Sequence, residues 1–286
     1  MSRIFEALQR SNAKKVGAGT AGSAVDAAAV LSGLDSDATN LNLIPSLTVT
    51  ATPERRLVAL SEDRSLGAEK IRILGARLRH LRQERPLKTL LITSSIKQEG
   101  KSVLSANLAL SFAKTKQRVL LLEGDCHQPS IAGLFGASGL PGLTGWWRSG
   151  EPVVNYLRRI NGLPLWFLPA GVSAEQPLEI LQSQRFSQLL NQIGNWFDWV
   201  VIDSPPFAAL ADAAVWGGMS DGILLLARQH RTPKRVLRKV LDSIDRSKVL
   251  GIVLNDCSDP DHSYYAQYYS QNLDHAPQPA NHKRKH

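Results

Sequence analysis

Three groups of side chains in this sequence have the types and spacing for phosphoryl chemistry. The first is Ser95-Ile96-Lys97-Gln98-Glu99-Gly100-Lys101-Ser102-Val103. An apolar run, Leu90-Leu91-Ile92, precedes it, and a helical pattern with Val103, Leu104, Leu108 and Phe112 on one face follows. Strand, polar loop, Gly-Lys-Ser and helix are the outline of a P-loop. The unpaired N–H groups of a helix N-terminus suit phosphate oxygens. Gly100 would let the backbone approach them, Lys101 would set a positive charge on the β- and γ-phosphates, and the Ser102 hydroxyl would ligate Mg2+. Ser95 stands where the usual G-x-x-x-x-G-K-[S/T] pattern has its first glycine, so an ordinary helix start capped near Ser94 or Ser95 is the competing reading.

The second group is acidic. Leu120-Leu121-Leu122 runs into Glu123-Gly124-Asp125, and Val200-Val201-Ile202 runs into Asp203-Ser204-Pro205-Pro206. A phosphoryl-transfer site needs carboxylates opposite its phosphate-binding loop, to anchor magnesium and to orient the incoming hydroxyl. One carboxylate after a strand is often a helix cap; two, on strands expected beside a P-loop, are harder to dismiss. The third group is the tyrosine cluster Tyr264, Tyr265, Tyr268 and Tyr269, set in a polar, proline-punctuated end. Taken alone, it reads equally as a sticky, β-prone tail.

The elements that would position these groups are legible in the pattern. Strands are expected at 90–92, 118–122, 165–168, 199–202, 222–226 and 249–254, with helices over 65–83, after the loop, over 183–193 and from 232 to about 247. Continuous apolar strands alternating with helices predict an α/β fold, a mostly parallel sheet with helices on both faces. Its ligands belong at the carboxyl ends of the strands. Residues 1–60 read as a short amphipathic helix (1–15) followed by a flexible Ala-, Gly-, Ser- and Thr-rich linker, residues 61–256 as the folded domain, and residues 257–286 as a disordered tail.

With the three motifs in order, the sequence resembles the bacterial tyrosine kinases of capsule and exopolysaccharide loci, P-loop proteins of the MinD/ParA-like class. The resemblance covers about residues 68–269. It rests on Ser94-Ser95 with Glu99-Gly100-Lys101-Ser102, on Glu123-Gly124-Asp125 with Pro129, and on Asp203-Ser204-Pro205-Pro206. It implies ATP and Mg2+ as cofactors and autophosphorylation on Tyr264, Tyr265, Tyr268 and Tyr269. It implies nucleotide contacts from Ser95, Gln98, Glu99, Gly100, Lys101, Ser102 and Val103, with Asn255 near the adenine. Ser102, Glu123 and Asp203 would hold the metal, and Lys101, Asp125 and Asp203 would carry catalysis. The implied partner is a membrane-embedded polysaccharide chain-length protein, which would place the chain at the inner face of the cell membrane. Self-association is implied too. The departures are Ser95, Lys97-Gln98, Glu123 in place of an aspartate, Cys126-His127-Gln128 in place of a basic pair, and Gly75 in place of the second arginine of an E-x-x-R-x-x-R assembly motif. They keep open a second reading, a nucleotide-binding regulator with little kinase activity. A MinD/ParA-like cargo-positioning ATPase is a third, but Ile96 stands where that subclass carries an extra lysine.

Composition sets outer bounds. A formal net charge of +9 over 286 residues fits nucleotide phosphates or an anionic surface. The aromatic and basic interleaving of RNA-binding segments is missing, so no nucleic-acid partner is expected. The cysteines, Cys126 and Cys257, form neither a disulfide framework nor a zinc pattern and read as packing residues. His127 reads as a loop residue rather than a general base, and Trp146 and Trp147 as partly buried. No apolar run approaches a membrane span and no signal segment is visible, so a cytoplasmic chain is expected.

Overall fold

The computed structural model describes residues 41, 43–61, 65–172, 177–208 and 211–257. The chain divides into two compact units, residues 1–40 and 41–286, and all described residues belong to the second. The expected helix at 1–15 and the tyrosine cluster lie outside the described residues.

In chain order the elements are β1 (Ser46–Leu47), α1 (Val58–Ser61), α2 (Leu66–Glu84), β2 (Thr89–Ser94), α3 (Lys101–Lys114), β3 (Val119–Glu123), α4 (Ile131–Leu134), α5 (Leu143–Ser149), β4 (Arg158–Ile160), β5 (Leu165–Leu168), α6 (Pro177–Gln182), α7 (Gln184–Trp196), β6 (Trp199–Asp203), α8 (Ala211–Met219), β7 (Gly222–Arg228), α9 (Lys234–Ser243) and β8 (Val249–Asn255). They build one sheet in the order β1-β4-β5-β3-β6-β2-β7-β8. Every neighbouring pair is parallel except β4–β5. This is the expected α/β architecture, and all of the expected strands are present.

Alternate residues of each central strand feed two cores. Leu91, Leu120, Leu122, Val200 and Ile202 pack on one face with Phe186 and Trp216. Leu90, Ile92, Leu121 and Val201 pack on the other with Phe112 and Trp199. Phe112 of α3 stacks on Trp199 of β6 with ring centroids 4.4 Å apart. Helix α7 reads helically because Phe186, Leu189, Ile193 and Trp196 fall on one buried stripe, and it starts where the Ser183 side chain accepts from the Phe186 N–H. The register then fixes the site. Asp203 at the end of β6 pairs with Ile92 on one side and Glu123 on the other. The P-loop strand and both acidic strand ends are therefore neighbours.

Two expectations need correction. Residues 41 and 43–60 are not linker. Leu41, Ile44, Leu57 and Ala59 are buried. The Trp166 indole N–H donates to the Leu41 carbonyl, and Asn107 of α3 ties down the Arg56 carbonyl and the Ala59 N–H. The folded unit thus begins at 41 rather than 61. The segment escapes a sequence reading because its order comes from distant partners and not from its own periodicity.

The second concerns Gly75, expected as a gap in an assembly surface. It is buried, and a Cβ built there would lie 3.4 Å from Phe112 Cε1 and 3.5 Å from Ser111 Oγ. This position faces α3, inside the unit. Gly75→Ala should therefore gain helix propensity without a clash and raise stability by roughly 0.5–1 kcal/mol. Gly75→Arg should lower it, because the guanidinium meets Phe112. Urea unfolding midpoints check both; a destabilised alanine variant would refute the packing description.

Candidate active site

The loop between β2 and α3 turns through two residues in the left-handed region, Gln98 (φ 63°) and Gly100 (φ 96°). Gly100 has to be glycine, since a Cβ there would overlap the Asn255 side-chain amide. Lys101 opens α3 and is buried, 7% exposed. The Ser95 hydroxyl is buried and has no hydrogen-bond partner among the described residues. An orphaned hydroxyl at the head of a helix-entry loop suits an arriving anion.

Across the strand ends, Asp203 is 1% exposed. Burial pushes its carboxyl up to about 7, opposed by the Lys101 charge and by a hydrogen bond from the Ser102 side chain, and aided by the charges of Glu123 and Asp125. The Ser105 hydroxyl, a turn further along α3, lies within hydrogen-bond distance of both Asp203 Oδ1 (3.3 Å) and the Lys101 carbonyl (2.9 Å). Sequence reading passed over Ser105, which lies outside the loop pattern. Asp125 follows β3 in a tight turn, accepting the Gln128 N–H at 3.0 Å. That turn is pinned from two sides: Gly124 N–H donates to the Asp203 carbonyl at 2.7 Å, and the Trp216 indole donates to the Gly124 carbonyl. A side chain at 124 would meet Trp216 at 2.8 Å, so only glycine fits there. His127 is a loop residue as expected, and its Nε2 lies 2.7 Å from Asp212 Oδ2. Cys126 is buried, and Cys257 is exposed.

Glu123, expected among the metal ligands, does something else. Its Oε1 accepts backbone N–H groups from Ser130 (2.6 Å), Ile131 (2.5 Å) and Ala132 (3.4 Å), and its Oε2 accepts from Ala170 (3.1 Å). Three donors crowd Oε1 and one sits on Oε2, so the side chain is committed chiefly to backbone groups, with one lone-pair site of Oε2 left over among the described residues. The side chain caps the start of α4 and ties it to the segment after β5. Burial raises its carboxyl above the usual range, against the pull of those backbone bonds.

Asn255, expected near the adenine, holds the phosphate-binding loop from the end of β8. Its Nδ2 donates to the Glu99 carbonyl at 2.8 Å and its Oδ1 accepts the Asp256 N–H at 2.9 Å. The amide grips the loop and, among the described residues, keeps one N–H and one lone pair for a further partner.

No protein-family model matches the chain. It is similar to the tyrosine-protein kinase YwqD of Bacillus subtilis strain 168, 30% identical over 217 residues that span 75% of this chain and 92% of YwqD. The chain belongs to the bacterial tyrosine kinases. A solved structure, the VpsO kinase domain, superimposes on this bacterial tyrosine kinase with a TM-score of 0.62 at 30% identity, over 69% of this chain and 100% of that one. The succinoglycan biosynthesis transport protein ExoP of Rhizobium meliloti is 33% identical over 175 residues, 57% of the kinase and 22% of ExoP. Among the described residues of the kinase, no helix is long and apolar enough to cross a membrane, and no cluster of three or more His, Cys, Asp or Glu side chains could hold a metal ion.

Proposed function

We propose that this chain is an ATP-dependent protein-tyrosine autokinase that phosphorylates Tyr264, Tyr265, Tyr268 and Tyr269 on a second copy of itself. One observation carries the reading: buried Asp203 ends β6 between the strand that feeds the loop and the strand that runs into Asp125, and it faces the charge of Lys101 and the side chain of Ser102 at the start of α3.

The residues divide the work. Backbone N–H groups of the loop and the start of α3 receive the phosphates, with the Ser95 hydroxyl as a further donor. Lys101 holds the γ-phosphoryl group and steadies its charge. Ser102 and Asp203 would hold Mg2+, a set of one hydroxyl and one carboxylate that suits an ion that keeps waters and phosphate oxygens as its other ligands. When bound, the ion neutralises charge on the β- and γ-phosphate oxygens. Asp125 orients the tyrosine hydroxyl and takes its proton as the phenolic oxygen bonds to the γ-phosphorus. The bond from that phosphorus to the bridging oxygen breaks, and ADP leaves.

The chain exits β8 at Asn255, on the same edge of the sheet, and Tyr264 is nine residues further on. Fully extended, that is at most ~30 Å. Pro260 and the chain direction favour a neighbour's site. Each phosphotyrosine would add about −1.5 to −2 charge, so labelled tails repel and loosen a self-assembly. The similarity to ExoP supports a setting in exopolysaccharide or capsule synthesis, with the chain peripheral to the membrane and docked on a membrane-embedded chain-length partner. Two motives of the regulator reading weaken, since Glu123 and Gly75 both serve packing here, and the altered loop at Ser95 and Lys97-Gln98 is the motive that stays.

The test mixes a Lys101→Met chain that keeps its tyrosines with a tail-truncated chain that keeps its loop, in labelled ATP and Mg2+. Label on the Lys101→Met chain is expected. Labelling of full-length wild type alone, at a specific rate unaffected by dilution, would mean transfer in cis. No label at all, with or without the cytoplasmic segment of the membrane partner, would return the regulator reading.

A further inference from the structure

Glu99 lies between the two left-handed residues of the phosphate-binding loop, and a non-glycine residue such as Gln98 holds that conformation only under constraint. The constraint converges on Glu99, which is 1% exposed. Its Oε2 accepts the Ile96 N–H at 3.2 Å, closing the loop on itself. Its Oε1 accepts the hydroxyl proton of Thr232, from the turn that follows β7. The same hydroxyl oxygen accepts the Arg228 N–H at 2.7 Å. A hydroxyl has a single proton, so with Arg228 on the oxygen's lone pair that proton belongs to Glu99. The turn itself is closed by the Thr232 and Arg231 N–H groups on the Arg228 carbonyl, at 3.0 and 3.2 Å. The Glu99 carbonyl is held from the next strand end by Asn255, whose own carbonyl accepts the Gln229 N–H at 3.0 Å. Glu99 is therefore gripped by side chain and main chain at once, from the ends of β7 and β8.

We propose that Thr232 is a positioning residue for nucleotide binding: acting through Glu99, it holds the phosphate-binding loop in its receptive shape and keeps a loop carboxylate turned away from the incoming phosphates. Without the hydroxyl, Oε1 loses a charge-assisted donor in a buried setting, the loop relaxes, and a negative charge is freed beside an anion site. The proposal rests on residues 95–103 being the nucleotide loop.

The test is calorimetric titration of ADP and ATP, with Mg2+, into the full chain and its T232V, T232S, E99Q and K101M variants, with urea unfolding of each nucleotide-free protein alongside. T232V is expected to weaken nucleotide affinity about tenfold, the scale of one hydrogen bond to a charged group. T232S is expected to restore most of it, and T232V combined with E99Q to bind no worse than the weaker single variant. Wild-type affinity in T232V, a loss in stability without a loss in affinity, no rescue by serine, or additive effects in the double variant would each overturn the proposal. Should T232V not fold, unchanged affinity in E99Q overturns it as well. Unchanged affinity in K101M instead removes the loop from nucleotide binding altogether, a different failure that the same titrations distinguish.

Discussion

Lys101→Met should abolish measurable Mg-ATP binding, or weaken it by at least about 100-fold, which corresponds to about 2.7 kcal/mol. Two losses combine. The direct one is the charge-assisted contact between a buried ammonium and the phosphates, worth about 1.5–3 kcal/mol by itself. The indirect one runs through Asp203. That carboxyl is pushed up to about 7 by burial, and the Lys101 charge is the largest influence holding it down. Without the lysine, burial and the charges of Glu123 and Asp125 act with less opposition, and Asp203 stays protonated to higher pH. A neutral Asp203 is a poor partner for a magnesium ion. The variant should thus fail at the phosphates and at the metal together, while its nucleotide-free fold persists. Lys101→Arg should recover only part of the affinity, since a planar guanidinium replaces a point charge in a fitted pocket. Calorimetry decides: affinity in Lys101→Met within a few-fold of wild type would exclude this loop as the nucleotide site.

Glu123→Asp is the second large effect, and its sign separates two descriptions of the residue. If Glu123 were a poorly fitting metal ligand, the shorter side chain would restore ligand geometry, and phosphorylation would rise at unchanged stability. The structure points the other way. The glutamate reaches backbone donors on Ser130, Ile131, Ala132 and Ala170. A side chain one methylene shorter cannot span from β3 to both the start of α4 and the segment after β5. Each buried N–H left unpaired costs about 1–3 kcal/mol, so a total near ~3 kcal/mol is expected. For a unit of this size that lowers the melting midpoint by about 10 °C. Glu123→Ala should cost at least as much. Thermal and urea unfolding measure it directly; a stable, faster Glu123→Asp kinase would return Glu123 to the metal.

The sequence by itself determined the parts whose physics is local. A strand buried on both faces must be largely apolar, so β2, β3, β5, β6 and β7 stand out as continuous runs, and β8 reads the same way although it lies at the sheet edge with Ile252 and Leu254 exposed. A helix that opens on phosphate needs glycine, lysine and a hydroxyl in fixed succession, so residues 100–102 are legible from spacing alone. Asp125 and Asp203 follow from being acids at strand ends. The tertiary structure decided what depends on where a side chain points and what lies far away in the chain. Strands β1 and β4, of two and three residues, are too short to show a period, and they owe their order to neighbours across the sheet. Glu123 looks like a metal ligand in a D-x-D frame, yet it turns to backbone groups up to 47 residues away. Gly75 looks like a missing surface arginine but faces α3. Asn255 and Thr232 reach Glu99 across 156 and 133 residues of chain. Spacing along the chain records helix and strand periods and tight turns. It carries no trace of a hydrogen bond made by a single side chain once the sheet has brought distant strand ends together.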